Sequence, residues 1–126
     1  MKVCEGKISS RFGNRIHPVT GEKAFHNGVD IAAPLGTPVF CPIDGIAVLV
    51  ATGEIGGRQI HVVDGSIEYH FLHLSEQLIK QGVRVHKGML IGEVGSTGRS
   101  TGPHLHFAKK VSGQFINPEP YIEFKL

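Results

Sequence analysis

Apolar residues in this sequence come in short runs, each closed by glycine, proline or aspartate. That punctuation constrains the fold more than any other feature, because helices need long uninterrupted stretches while strands of four to eight residues do not. With 17 glycines and 7 prolines among 126 residues, long helices have few places to form. The runs predict strands at Val29–Ala33, Thr37–Cys41, Gly45–Thr52, Gln59–Val63, Ile67–His73, Met89–Val94 and His104–Lys110. Gly56–Gly57 marks a turn, and Asp64–Gly65 is a favoured hairpin dipeptide. One short helix is expected, with Ser75 capping Glu76–Gln81 and Gly82 stopping it. The expected fold is therefore mostly β: a compact antiparallel β-sandwich or partly open barrel with at most one short helix.

The length fits a single domain spanning residues 1–126, with no repeat or linker-like tract inside it. Thirteen Lys and Arg against eleven Asp and Glu give a formal charge of +2, far from the dense basic face of a dedicated nucleic-acid binder. No nucleic-acid partner is expected. No apolar run approaches the roughly 18 residues of a membrane span. The N-terminal MKVCEGKISS has no continuous apolar region, so no signal peptide is expected in it. Cys4 and Cys41 define neither a disulfide nor a zinc ribbon. Eight histidines are the first hint of metal or acid–base chemistry.

Three histidine sites gain meaning together. His26 and Asp30 form an H-x-x-x-D pair. On an extended segment residues 26, 28 and 30 share a face, and on a helix positions four apart do, so both groups can point at one spot. His104 and His106 form an H-x-H pair, which a strand presents on one face while Leu105 and Phe107 turn to the other. His73 closes an alternating strand in which Tyr69, Phe71 and His73 share one face and Glu68, His70 and Leu72 the other. Taken singly, each has a blander role: an exposed histidine, a turn-capping aspartate, the polar side of a half-buried strand. Combined, His26, Asp30 and one of His104 or His106 supply two imidazoles and a carboxylate. Three protein ligands with a fourth position open is the pattern of a catalytic zinc site, whereas structural sites close with four. The remaining histidines would then serve as general base and as stabiliser of developing charge.

At these residues the sequence resembles the M23 family of zinc metallopeptidases, the lysostaphin-like or LytM-type peptidoglycan endopeptidases. The resemblance rests on Ser10–Pro18 (SRFGNRIHP), Phe25–Val39 (FHNGVDIAAPLGTPV), His73–Ser75 (HLS) and Val94–Phe107 (VGSTGRSTGPHLHF), in order and with compatible spacing. It implies the lysostaphin-like peptidase fold and one Zn2+ ion per chain, held by His26, Asp30 and His106. It implies His104 as general base, and His73 as the residue that orients water or stabilises the oxyanion. The implied reaction is hydrolysis of amide bonds in peptidoglycan stem peptides or cross-bridges, with zinc-bound water as nucleophile. The implied setting is the extracytoplasmic cell wall (secreted, periplasmic or phage-borne), with the protein acting as a monomer. The sequence departs from the family at Asn14, where an aromatic is frequent, and at Phe71, where tyrosine is frequent; both departures touch substrate contacts rather than the zinc centre. Family members divide between glycine-rich bridges and D-alanyl cross-links to a diamino acid.

Other readings fit less well. A non-catalytic wall-binding or regulatory module on the same fold would be marked by a lost ligand, and none is lost. A biotinyl- or lipoyl-type carrier is suggested by Gly82–Gly95, but Lys87 lacks the acidic or methionine-flanked tip such a domain needs. His17, His61, His70 and His86 read as turn, strand and loop residues, with His17 a local structural residue or a groove wall. Gly95–Gly102 (GSTGRSTG) lacks the ending of a phosphate loop and precedes a strand, so it reads as a tight turn presenting His104 and His106. Arg11, Arg15, Lys109 and Lys110 read as scattered surface charge that would suit an anionic wall. The short segments Thr20–Ala24, Gly53–Arg58 and Gly95–Gly102 predict an open groove without a lid.

Overall fold

The computed structural model describes residues 2–16 and 20–119. His17 and Pro18 of the first motif lie outside them. Twelve strands form: β1 (Lys7–Ser10), β2 (Gly13–Ile16), β3 (Lys23–His26), β4 (Val29–Ala32), β5 (Pro38–Phe40), β6 (Gly45–Gly53), β7 (Gly57–Asp64), β8 (Ile67–Gln77), β9 (Arg84–Val85), β10 (Leu90–Val94), β11 (His104–Val111) and β12 (Gln114–Ile116). Ten of them join one antiparallel sheet, with the path β1-β4-β11-β8-β7-β6-β9, β12 beside β11, and β10 bridging β8 and β5. The sheet does not close into a barrel. The β2–β3 hairpin stands apart as a second, two-stranded sheet. No described helix is long and apolar enough to cross a membrane.

Alternation builds the core. Val29 and Ile31 of β4, Ile60 and Val62 of β7, Tyr69 and Phe71 of β8, and Leu105 and Phe107 of β11 all turn inward and are nearly or fully buried. Tyr69 and Phe71 each pack a ring against Phe107 at centroid distances of 5.2 and 5.3 Å. Cys4 and Cys41 are buried free thiols in this cluster, and burial, helped by Glu5, pushes the Cys4 thiol up to about 12.

The expected helix does not form. Ser75, Glu76 and Gln77 continue β8; Glu76 and Gln77 pair with Glu93 and Gly92 of β10, and the Ser75 hydroxyl donates to the Val94 carbonyl at 3.1 Å. A six-residue helix barely recovers its nucleation cost, and an existing neighbour strand satisfies those backbone groups at once.

β8 also changes partners along its length. Residues 67–72 pair with β11, while Leu74, Glu76 and Gln77 pair with β10. Against β7, Leu74 faces Arg58 but Phe71 faces Ile60, so β8 carries one residue more than its partner. This is a β-bulge. It shifts the alternation: Phe71 points into the core, and so does Leu74. His73 sits in the bulge with φ 66°, one of only two non-glycine positive-φ residues among those described. Strict alternation predicted His73 beside Tyr69 and Phe71 and opposite His70; the bulge turns it onto the open face with the His106 side of β11.

Candidate metal centre

β4 and β11 are direct neighbours, and their register pairs Asp30 with His106 and Ala32 with His104. The H-x-H pair therefore points to the face that carries Asp30. His26 reaches the same point from the end of β3, because Asn27 and Gly28 break the chain between β3 and β4. The H-x-x-x-D pair is thus neither one helix nor one strand but two strand ends meeting across a two-residue break. Gly28 is required there: a Cβ would lie 2.4 Å from the Phe107 carbonyl oxygen.

The three groups converge tightly. His26 Nε2 lies 3.3 Å from Asp30 Oδ1, His106 Nδ1 lies 2.9 Å from the same oxygen, and the two nitrogens are 3.2 Å apart. With metal–ligand bonds of about 2.0–2.1 Å, the edge of a tetrahedron is about 3.3 Å. The donor triangle fits a zinc-sized ion. The far side of each ring is fixed by an acceptor. His26 Nδ1–H donates to the Arg11 carbonyl at 2.9 Å, and His106 Nε2–H donates to Asn27 Oδ1 at 2.8 Å. Each imidazole is thereby left with its other nitrogen for a cation, the usual outer-shell arrangement of a metal-binding histidine. Burial pushes the Asp30 carboxyl up, but hydrogen bonding and charge from His106 and His26 outweigh it and hold the group well below the usual carboxylate range. The hydrogen bond to Asp30 raises His26 against the opposing effect of burial.

Two more histidines face this point. His104 Nδ1–H donates to the Gly102 carbonyl at 2.8 Å, and its Nε2 stands 3.7 Å from Asp30 Oδ1. His73 Nδ1–H donates to the Thr97 carbonyl at 2.7 Å, and its ring centroid lies 4.8 Å from that of His104. Burial lowers His73. Both residues line a cleft of about 390 Å³, together with His26, Asp30, His106, Arg15, Arg99, Ser100 and Thr101. Asp30 and His104 keep 17% side-chain exposure, so the centre stays open to solvent.

The structure thus brings together His26, Asp30, His73, His104 and His106. Sequence reasoning missed the groups that hold them. Asn27 lay unremarked inside the first pair, yet it fixes the His106 ring. Thr97 holds His73 through its carbonyl, while its hydroxyl accepts from Arg58 N–H at 3.0 Å and donates to the Leu74 carbonyl at 2.7 Å. The Ser100 hydroxyl lies 3.2 Å from His104 Nδ1. The clustered hydroxyls of Gly95–Gly102 were the available signal. A second group, His61, Glu68 and His70, also clusters metal-type atoms within 4.8 Å. Its two imidazoles stack 3.6 Å apart with planes only 5° from parallel, so their in-plane lone pairs run side by side rather than converging.

The sequence model of Peptidase family M23 matches residues 24–118. The peptidoglycan DD-endopeptidase ShyA of Vibrio cholerae is 43% identical over 113 residues, 88% of this chain and 26% of ShyA. The DD-carboxypeptidase/endopeptidase Mpg of Neisseria meningitidis is 45% identical over 115 residues, 89% of this chain and 26% of Mpg. The chain spans about a quarter of the length of these relatives. Among solved structures, a zinc-containing peptidase from Vibrio cholerae superposes with a TM-score of 0.86 at 36% identity, covering 100% of this chain and 38% of that one. The catalytic domain of lysostaphin from Staphylococcus simulans gives 0.82 at 32% identity, covering 92% and 91%. The chain therefore shares the fold of these peptidases, and it belongs to peptidase family M23.

Proposed function

We propose that this chain is a zinc endopeptidase that hydrolyses amide bonds in peptidoglycan stem peptides or cross-bridges. The observation that carries this reading is the donor triangle of His26, Asp30 and His106, 2.9–3.3 Å on its edges, with two further imidazole Nε2 atoms facing the same open cleft. His26, Asp30 and His106 would hold the zinc, which would supply Lewis-acid chemistry toward a carbonyl and lower the pKa of a water to about 7. His104 acts as the general base: the Gly102 carbonyl holds its Nδ1–H, so Nε2 is free to take a proton from the attacking water. That proton then passes to the departing amine. His73, whose Nδ1–H is held by the Thr97 carbonyl, turns its other ring nitrogen to the water and orients it. An extended peptide lies along the open face of the sheet with its scissile carbonyl over the triangle.

ShyA is a peptidoglycan DD-endopeptidase and Mpg a DD-carboxypeptidase/endopeptidase, which favours a wall peptide as the substrate here. Such a substrate sets the working location outside the cytoplasmic membrane. Coverage of 91% of the lysostaphin catalytic domain supports reading the chain as one catalytic domain. The test is digestion of purified sacculi of several cross-link types by zinc-loaded protein, with chelator-treated protein and Asp30→Ala as controls and mass spectrometry of the freed amino termini. Zinc-dependent release of one defined terminus is the expected result. No release from any wall type at stoichiometric zinc overturns the reading.

A further inference from the structure

The cleft carries more positive charge than the metal centre uses. Arg15, from β2, and Arg99, from the Gly95–Gly102 loop, line it from two separate elements. Asp30 is the carboxylate among the lining residues, and it is engaged by His26 and His106. Among the described residues neither arginine meets a carboxylate: Arg15 donates to the Ser10 hydroxyl, and Arg99 has no side-chain partner. Arg11, by contrast, lies on the same stretch of chain and is neutralised by Glu119. Two solvated guanidiniums across a cleft that also attracts a divalent cation are suited to a planar, bidentate anion.

We propose that Arg15 and Arg99 form a carboxylate subsite that selects substrates whose leaving amine carries a free carboxylate on its adjacent carbon. The inference rests on the hydrolase reading above and names the substrate within it. An oligoglycine bridge cut internally offers no carboxylate next to the scissile nitrogen, whereas two wall chemistries do. One is a chain end, where the residue released has its own terminal carboxylate. The other is a D-alanyl cross-link to a diamino diacid, where the carbon bearing the linked amine also bears a carboxylate. Both would place the same group beside the metal centre.

The test uses matched probes: a peptide ending in D-alanyl-D-alanine and its C-terminal amide, and a cross-linked dimer with the diamino diacid carboxylate free or amidated. Pentaglycine is the fifth probe. Zinc-loaded full chain, Arg15→Gln, Arg99→Gln, the double variant and Arg99→Lys are compared for kcat/KM, and zinc content is measured for each. Wild type is expected to favour acid over amide by roughly 10- to 100-fold, the range of charge-assisted hydrogen bonds. The ratio should fall toward 1 in the double variant while zinc stays stoichiometric, and Arg99→Lys should recover only part of it. Preference in the first pair assigns the carboxylate to chain ends, and preference in the second to cross-links. Equal turnover of acid and amide by wild type, or a ratio that survives in the double variant, overturns the proposal. Binding of the same pairs, followed by NMR of the arginine Nε–H signals, reads the preference without turnover. Arg-dependent binding of acids without cleavage would sink the hydrolase reading and support the subsite; equal binding of acid and amide would sink the subsite.

Discussion

Asp30 and His106 face each other as a directly paired couple across β4 and β11, with His106 Nδ1 2.9 Å from Asp30 Oδ1. The backbone ladder, not a loop, sets this separation, so two of the three donors are fixed by the sheet itself, and His26 joins them from the end of β3. His26 and His104 then add one nitrogen each to the same oxygen's surroundings, at 3.3 and 3.7 Å. In the proposed mechanism the nearer nitrogen is a ligand and the farther one a base.

Asp30→Ala and His104→Ala should separate metal binding from turnover. Asp30→Ala is expected to weaken zinc by more than the roughly 10–100-fold that outer-shell losses cost. His104→Ala should keep stoichiometric zinc and lose about 10²–10⁴-fold in kcat, the usual contribution of a general base. Metal analysis after dialysis and steady-state kinetics check both, and normal turnover by His104→Ala would remove it from its assigned role.

Asn27→Ala should behave as an outer-shell loss. Without the Asn27 Oδ1 acceptor, the His106 ring is free to rotate or exchange tautomers, and zinc affinity should fall about 10–100-fold with the fold intact. Asn27→Asp retains an acceptor and should recover most of the affinity. Chelator competition gives the affinities, and nitrogen-15 NMR of the His106 ring reports its tautomer. A tautomer that is unchanged in Asn27→Ala would contradict this account.

The left-handed backbone at His73 predicts an unusual order of stability. A side chain in that region costs about 1–2 kcal/mol, and glycine does not incur it. His73→Gly should therefore be more stable than His73→Ala by about 1 kcal/mol, seen as a few degrees in Tm, although both lose the bond to the Thr97 carbonyl. An alanine variant as stable as the glycine variant would mean that the bulge relaxes once the imidazole is gone.

The stacked pair His61 and His70 predicts acid sensitivity. Burial, with the neighbouring His70 charge adding to it, lowers His61 to about 4, and burial lowers His70 as well. Both are neutral in the folded protein where the unfolded chain, with an ordinary value near 6.5, takes up protons. Stability contributed by the pair is complete above about pH 6.5 and is lost as pH falls toward 4. Denaturant midpoints at pH 7.5 and 5, taken in chelator to remove metal effects, should differ less for the His61→Gln, His70→Gln double variant than for wild type. A full-sized drop in that variant would place the acid sensitivity elsewhere.

Much of the β architecture was legible because long central strands advertise themselves: Ile60, Val62, Tyr69 and Phe71 alternate with polar neighbours. The short strands were not. β1, β2 and β3 contain few apolar residues, and their conformation comes from pairing with a partner rather than from their own pattern. The Ser75 segment misled for the same reason, since its hydroxyl suits a helix cap in isolation and a β10 carbonyl in context. The residue types at 26, 30, 104 and 106 were readable as potential ligands, whereas the turn of His73 onto their face was not. That turn follows from an extra residue in β8, which depends on how β7 and β10 divide the strand between them. The Thr97 carbonyl carries no signature at all, because every residue has one.

The Asp30–His106 couple is separated by 76 positions along the chain. β4 precedes β11 in the chain by seven strands, and no local turn can bring them together; closing that loop is an entropic cost met as the intervening strands assemble. A nascent chain that has emerged only as far as β10 has two of the three donors and neither His104 nor His106. The proposed donor set is therefore complete only when β11 lies between β4 and β8. With the proposed ligand set, zinc uptake would report that the long-range pairing of β4 with β11 has formed.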